Sequence, residues 1–190
     1  TGIGINALVS RKFGEQDTGM PDRIGGQIYF LSAAWGLFFI ILAQAFSYPI
    51  LRTIGATPDI IEYASRYMII TSYGAPLHIF VLVSGNLIRG SGDAFKPMVM
   101  TITASALNVI LDPFFILGIG PFPALGVSGA AIATVIAQGT GALLGLYYIL
   151  GRRTSFRVKL KYIAPKWRII GNIYRVGTPA SVQEITESLA

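Results

Sequence analysis

In the run Asn108-Val-Ile-Leu-Asp112-Pro113 an acid stands inside a stretch, Pro97 to Gly151, that otherwise carries no charge. An ionised carboxylate at bilayer depth costs roughly 2.5–3.5 kcal/mol on insertion scales, so it persists where it lines a cavity, finds a partner or carries a proton. Thr101, Ser105, Asn108 and Asp112 fall at i, i+4, i+7 and i+11, which puts all four on one face of a helix. The opposite positions are apolar. A polar stripe ending in an acid suits the lining of a cavity in a helix bundle, and Asn108, one turn from Asp112, can hydrogen-bond either protonation state. That chemistry is exchange of a proton, or its replacement by Na⁺. The alternative is an acid at the outer membrane interface, hydrated beside the loop that starts at Gly118.

Further along, Ala131, Thr134, Gln138, Gly141 and Gly145 share one face, and Gly141-x-x-x-Gly145 has the spacing that lets two helices approach closely. Thr134 and Gln138 are candidates to face the same cavity as Asp112. His78, the only histidine, shares a face with Thr71, Gly74 and Gly85; it is either a hydrogen-bonded bundle histidine or a proton relay. Glu184 and Glu187 lie three apart after Pro179; either Glu187 sits inside the bilayer, or Glu184 stays near the membrane surface and pairs with Arg175. No nucleophile–base pair, metal-ligand cluster or phosphate loop is present, so the chain does not read as an enzyme. Arg89-Gly-Ser-Gly lacks the Lys-Ser/Thr that a phosphate loop needs.

These residues need membrane helices to hold them. Of the 190 residues 53% are hydrophobic and 13% charged, against about 25% charged in soluble domains. Arg23 to Arg52 and Arg66 to Arg89 enclose charge-free windows, each long enough for the ~20 residues of a span. The expected spans are Ile24 to about Phe46, Tyr63 to Ile88 with a kink at Pro76, Pro97 to Leu117, and Gly126 to Leu150. Ser10 to Arg23 and Ser47 to Glu62 are expected as connections. With no cysteine, disulfide and thiolate-metal readings fall away.

The net charge of +6 has a topological explanation. Arg11, Lys12 and Arg23 lie in loop 10–23, Arg89 and Lys96 in turn 89–96, and a dense basic run from Arg152 to Arg168 in segment 151–168. The intervening loops carry Arg52 and the nearby Arg66. Positive charge marks the cytoplasmic side, so the three basic loops are expected there, and no nucleic-acid partner is needed.

Several runs resemble the multidrug and toxic compound extrusion (MATE) family. Gly4-Ile-Asn-Ala-Leu-Val-Ser-Arg-Lys-Phe-Gly-Glu-Gln-Asp17 is similar to the end of its helix 2, and Leu87-Ile-Arg-Gly-Ser-Gly-Asp-Ala-Phe-Lys-Pro-Met98 to its helix 4–5 turn. Asn108-Val-Ile-Leu-Asp-Pro-Phe-Phe115 resembles its helix 5 signature, Leu125-Gly-Val-Ser-Gly-Ala-Ala-Ile-Ala-Thr134 the start of helix 6, and Gly177-Thr-Pro-Ala-Ser181 the opening of helix 7. Order and spacing agree along essentially the whole chain.

The resemblance implies an all-α polytopic transmembrane bundle, a truncated six-helix MATE-like lobe. Residues 1–150 would be a partial N-terminal lobe, 151–168 a basic interlobe loop and 169–190 the start of the C-terminal lobe. It implies an alternating-access antiporter that expels organic, often cationic, compounds in exchange for H⁺ or Na⁺, with no other cofactor, a monomer in the cell membrane when full length. In the proton-coupled (DNA-damage-inducible-type) branch, which the chain resembles more, an Asn and an Asp one turn apart on helix 5 and a Thr on helix 6 form the first-lobe site; they match Asn108, Asp112 and Thr134. That site also uses an Asp on helix 1, which this chain is expected to lack. Another branch places a cation-binding Glu on helix 7, eight residues after a Pro, and Glu187 has that spacing from Pro179. The coupling ion therefore stays open, with Na⁺ at Asp112 or Glu187 as one option. The competing reading is a lipid-linked oligosaccharide flippase of the same superfamily, for which more cationic residues would be expected in the cavity.

Overall fold

The computed structural model describes residues 19–151, 154, 164–172 and 175. Four helices follow one another: α1 Gly19–Thr53, α2 Pro58–Gly90, α3 Phe95–Leu117 and α4 Val127–Leu150. Residues 167–172 are helical as well. All four named helices are long and apolar enough to cross a membrane, as the charge-free windows predict. Even α3, with 23 residues, reaches about 35 Å at 1.5 Å per residue, enough for a ~30 Å hydrocarbon core.

Two expected boundaries are corrected. Helix α1 already begins at Gly19, inside the polar run read as a loop to Arg23, with Pro21 in its first turn, where a missing N–H costs nothing. The connection expected over Ser47 to Glu62 shrinks to residues 54–57. Helix α1 continues through Pro49, and the Thr53 hydroxyl donates to the Pro49 carbonyl at 2.8 Å. Gly55, at φ 81°, ends it in the left-handed conformation that favours glycine. Helix α2 then starts at once: Pro58 needs no N–H partner at the first position, Asp59 complements the positive end of the helix, and the Ile61 amide donates to the Thr57 carbonyl at 2.9 Å.

The turn from α2 to α3 is closed by Gly92 at φ 92° and by the Asp93 amide donating to Ile88 O at 3.3 Å. Asp93 caps α3: its Oδ1 accepts the Phe95 and Lys96 amides, each at 3.1 Å. Its carboxylate also pairs with the Lys96 ammonium. The Lys96 side chain, followed by the backbone amides, holds the Asp93 carboxyl below the usual carboxylate range. A depressed folded value means that this stabilisation is present above the ordinary carboxylate pKa and is lost as pH falls through the lowered one. Asp93→Ala is expected to lower stability by about 1 kcal/mol at neutral pH, and by less in acid, as thermal unfolding in detergent would record.

The chain forms two compact units, and the division cuts each of the four helices. Unit 1 takes residues 1–32, 80–100 and 143–190; unit 2 takes 33–79 and 101–142. In unit 1, Leu87, Ile88 and Met100 are fully buried, and Tyr29 stacks on Phe80 with ring centres 5.1 Å apart. Gly145 packs here at close range: a Cβ on it would lie 2.8 Å from Met100 Cε. In unit 2, α1 meets α2 where Gly36 faces Pro76, whose Cγ would be 2.5 Å from an added Cβ. Gln44 Nε2 donates to the Tyr73 hydroxyl at 2.7 Å, a polar tie between the same two helices. Trp35, Phe38 and Phe39 form an exposed aromatic cluster, as suits a surface turned to lipid or to neighbouring helices.

Candidate functional site

The candidate site lies in unit 2, where the end of α3 is folded back on the start of α4. Helix α3 runs through Pro113 and stops at Gly118, which has φ 73°. The Gly118 and Ile119 amides both donate to Phe114 O, at 3.1 and 3.3 Å, and close the helix. The loop then returns along the same turn, with the Leu125 amide on Phe115 O at 3.0 Å and the Gly126 amide on Ile116 O at 3.2 Å. Gly129 lets the backbones touch: an added Cβ there would lie 2.2 Å from Phe115 O. Small buried residues, Ala131, Ala133 and Ala137, continue α4.

This backbone docking puts Thr134 beside Asn108. The Asn108 amide nitrogen donates to Asp112 Oδ1 at 3.3 Å and to the Thr134 hydroxyl at 3.4 Å. Thr134 in turn donates to the Ala130 carbonyl at 2.9 Å, so its hydroxyl oxygen is free to accept from Asn108. Both Asn108 contacts are long for hydrogen bonds, so they orient the carboxylate loosely. Asp112, Asn108 and Thr134 are all half-buried. The cluster offers one acid, supported by an amide and a hydroxyl within membrane-length helices, an arrangement able to hold a proton or a small cation.

The remaining sequence candidates separate from it. Thr101 and Ser105, expected to line one cavity with Asp112, are exposed and border a shallow groove along α3 with Val109 and Ile110. Gln138 turns to a different space, an open cavity of about 390 Å³ lined by Phe39, Leu42, Tyr67, Thr71, His78 and Gln138. His78 is exposed and carries no hydrogen bond among the described residues. Gln138 Oε1 and Thr71 Oγ1 are buried there without a hydrogen-bond partner among the described residues. Gly74 makes room for the Gln138 side chain, since a Cβ on it would be 2.7 Å from Oε1. Tyr67 joins Thr71 and His78 on this lining; its position one turn before Thr71 was the available signal, obscured by its aromatic character. Glu184, Glu187 and Pro179 lie outside the described residues.

Residues 1–114 match the family model described as MatE. The chain belongs to the MatE family. Members of this family are membrane transporters, not enzymes, and the membrane-length helices here accord with a multi-pass protein. Over its whole length the chain is 26% identical to the "Probable multidrug resistance protein YoeA" of Bacillus subtilis, of which it covers 42%. It resembles a solved structure titled "Inward-facing conformation of a multidrug resistance MATE family transporter of the MOP superfamily", with TM-score 0.86 and 30% identity over 99% of this chain and 42% of that one. It also resembles a second solved structure, "Outward-facing conformation of a multidrug resistance MATE family transporter of the MOP superfamily", with TM-score 0.87 and 30% identity over 99% of this chain and 41% of that one. The chain thus spans about two fifths of the length of these relatives.

Within MatE proteins the Thr134 position can be tested directly. Thr134→Val removes the hydroxyl that accepts from Asn108 but keeps the shape. It is expected to lower stability by about 1 kcal/mol, the worth of one hydrogen bond, as thermal unfolding in detergent would record.

Proposed function

We propose that this chain is part of an antiporter that exports organic, mainly cationic, compounds in exchange for H⁺ or Na⁺. The observation that carries this reading is the half-buried Asp112 carboxylate, held by Asn108 next to Thr134 within membrane-length helices. An ionised Asp112 attracts a cationic substrate or Na⁺; a proton taken from outside removes that attraction and releases the substrate. One acid suffices, since changing its charge alters the affinity of the site for a cation and so biases two conformations of similar energy. The relatives named for multidrug resistance support the substrate class, and the equal match to inward- and outward-facing transporter structures supports alternating access.

In this reading residues 1–150 belong to the first lobe, 169–190 open the second, and the basic loops 10–23, 89–96 and 151–168 face the cytoplasm. The full-length protein, reconstituted in vesicles with an imposed pH gradient or an imposed Na⁺ gradient, is expected to expel ethidium under one of the two. The gradient that drives efflux identifies the ion. Absence of efflux under both would overturn the antiporter reading and favour lipid-linked cargo.

A further inference from the structure

Gln27 is an uncharged polar residue near the start of α1, and it is completely buried in unit 1. Both ends of its amide are used by one distant stretch of backbone. Its Nε2 donates to the Ala164 carbonyl at 2.9 Å, and the Lys166 amide donates to its Oε1 at 2.6 Å. Pro165 stands between them and has no N–H to compete. The side chain therefore pairs with residues 164 and 166 as a neighbouring strand would, 137 and 139 positions away in sequence. Just beyond, Ile169 and Ile170 of the helical stretch 167–172 are buried in the same unit.

We propose that Gln27 is a positioning residue that docks the segment leading out of the first lobe. The other end of the basic segment is the end of α4, where the Gly151 amide still donates to Tyr147 O at 2.9 Å, again within unit 1. Both ends of segment 151–164 are thus anchored on the same unit. Its length and charge do not set the distance between lobes, because the residues that open the second lobe, from 169 onward, start from a stretch docked on this unit through Ala164, Lys166, Ile169 and Ile170. This rests on the transport reading, because the lobes need a fixed departure point only if they move against each other.

The test uses the full-length protein in lipid nanodiscs and vesicles. Gln27→Met keeps the volume and removes both hydrogen bonds. Hydrogen exchange at the Lys166 amide is expected to rise at least about tenfold in this variant, while exchange in the Ser91–Ala94 turn stays unchanged, since an amide exchanges only when its bond opens. The maximal rate of ethidium efflux is expected to fall about fivefold with KM within about twofold, because the ligand site is untouched while the lobe movement is impaired. Six Gly/Ser residues inserted between Arg157 and Val158 are expected to leave efflux within about twofold of wild type, as both ends of that segment stay held. In a background with any cysteine outside these 190 residues replaced by serine, Gln27→Cys with Ala164→Cys, joined by a short bifunctional thiol reagent, should restore the rate by replacing the clamp covalently. Unchanged exchange at Lys166, an insertion as damaging as Gln27→Met, or loss of efflux on cross-linking would each overturn the proposal. The exchange measurement needs no transport, so a wild type that expels nothing would refute the transport reading while exchange still decides the clamp.

Discussion

Asp112→Asn in the full-length protein is expected to reduce gradient-driven ethidium efflux about 100-fold, within the range of a 1–3 kcal/mol coupling between sites, while leaving the fold intact. The two halves of that statement come from the same geometry. Asn108 donates its amide to Asp112 Oδ1, and the carbonyl oxygen of an asparagine at 112 can accept that same bond. Packing and hydrogen bonding at the α3–α4 contact are thereby preserved, so expression and thermal unfolding should change little. What disappears is the ability to carry charge in one state and none in the other. An amide at 112 resembles the protonated acid at every pH, so the site keeps the form that releases a cation. Exchange driven by either gradient should be lost together, with substrate binding weakened rather than redirected. Full efflux in Asp112→Asn would exclude Asp112 as the coupling group and move that role to a residue such as Glu187.

The spans were legible because charge is expensive in a bilayer: two charge-free windows became α1 and α2, and the long stretch with a single acid became α3 and α4. Their ends were less legible because charge also marks what lies outside the hydrocarbon, whether helical or not. Pro49 and Pro58 made residues 47–62 look like a connection, although Pro49 is carried inside α1 and Thr57-Pro58-Asp59 is a helix-start signal. Helices α1 and α2 run on past the apolar windows; at 35 and 33 residues they are longer than the ~20 that a span requires. In the site, helical periodicity placed Asn108 and Asp112 together, since they are one turn apart on one element. The pairing with Thr134 was reached through family resemblance, because a contact between two helices depends on their docking and not on periodicity. Periodicity also grouped Thr101 and Ser105 with them, yet these two are exposed on α3, since sharing a face does not fix how far along that face a neighbour extends. Gln27 is not legible in the sequence: a lone glutamine in an apolar run has no spacing partner, and its partners are backbone atoms far along the chain.

Gly129→Ala is expected to be the most destabilising single methyl in unit 2, with Gly139→Ala on the same helix as its neutral counterpart. At Gly129 the added Cβ would lie 2.2 Å from Phe115 O and 2.5 Å from Phe115 C. Both are backbone atoms, and Phe115 O already holds the Leu125 amide. No rotamer change can relieve the contact, so α4 must withdraw from α3 or the loop between them must break. Overpacking of this kind costs about 1–3 kcal/mol. At Gly139 the Cβ would meet Leu77 Cδ1 at 3.8 Å, an ordinary contact. There, helix propensity favours alanine by up to about 1 kcal/mol, so stability should hold or rise. Thermal unfolding of the two variants in detergent, beside wild type, separates these outcomes. Function follows the same displacement. The Asn108–Thr134 bond is already 3.4 Å long, and even a small withdrawal of α4 carries it beyond hydrogen-bonding reach. Gly129→Ala should therefore lose coupled efflux even in the fraction that folds, whereas Gly139→Ala should transport as wild type does. Equal stability of the two variants would mean that α3 and α4 do not meet at Phe115, and the placement of Thr134 beside Asn108 would fall with that contact.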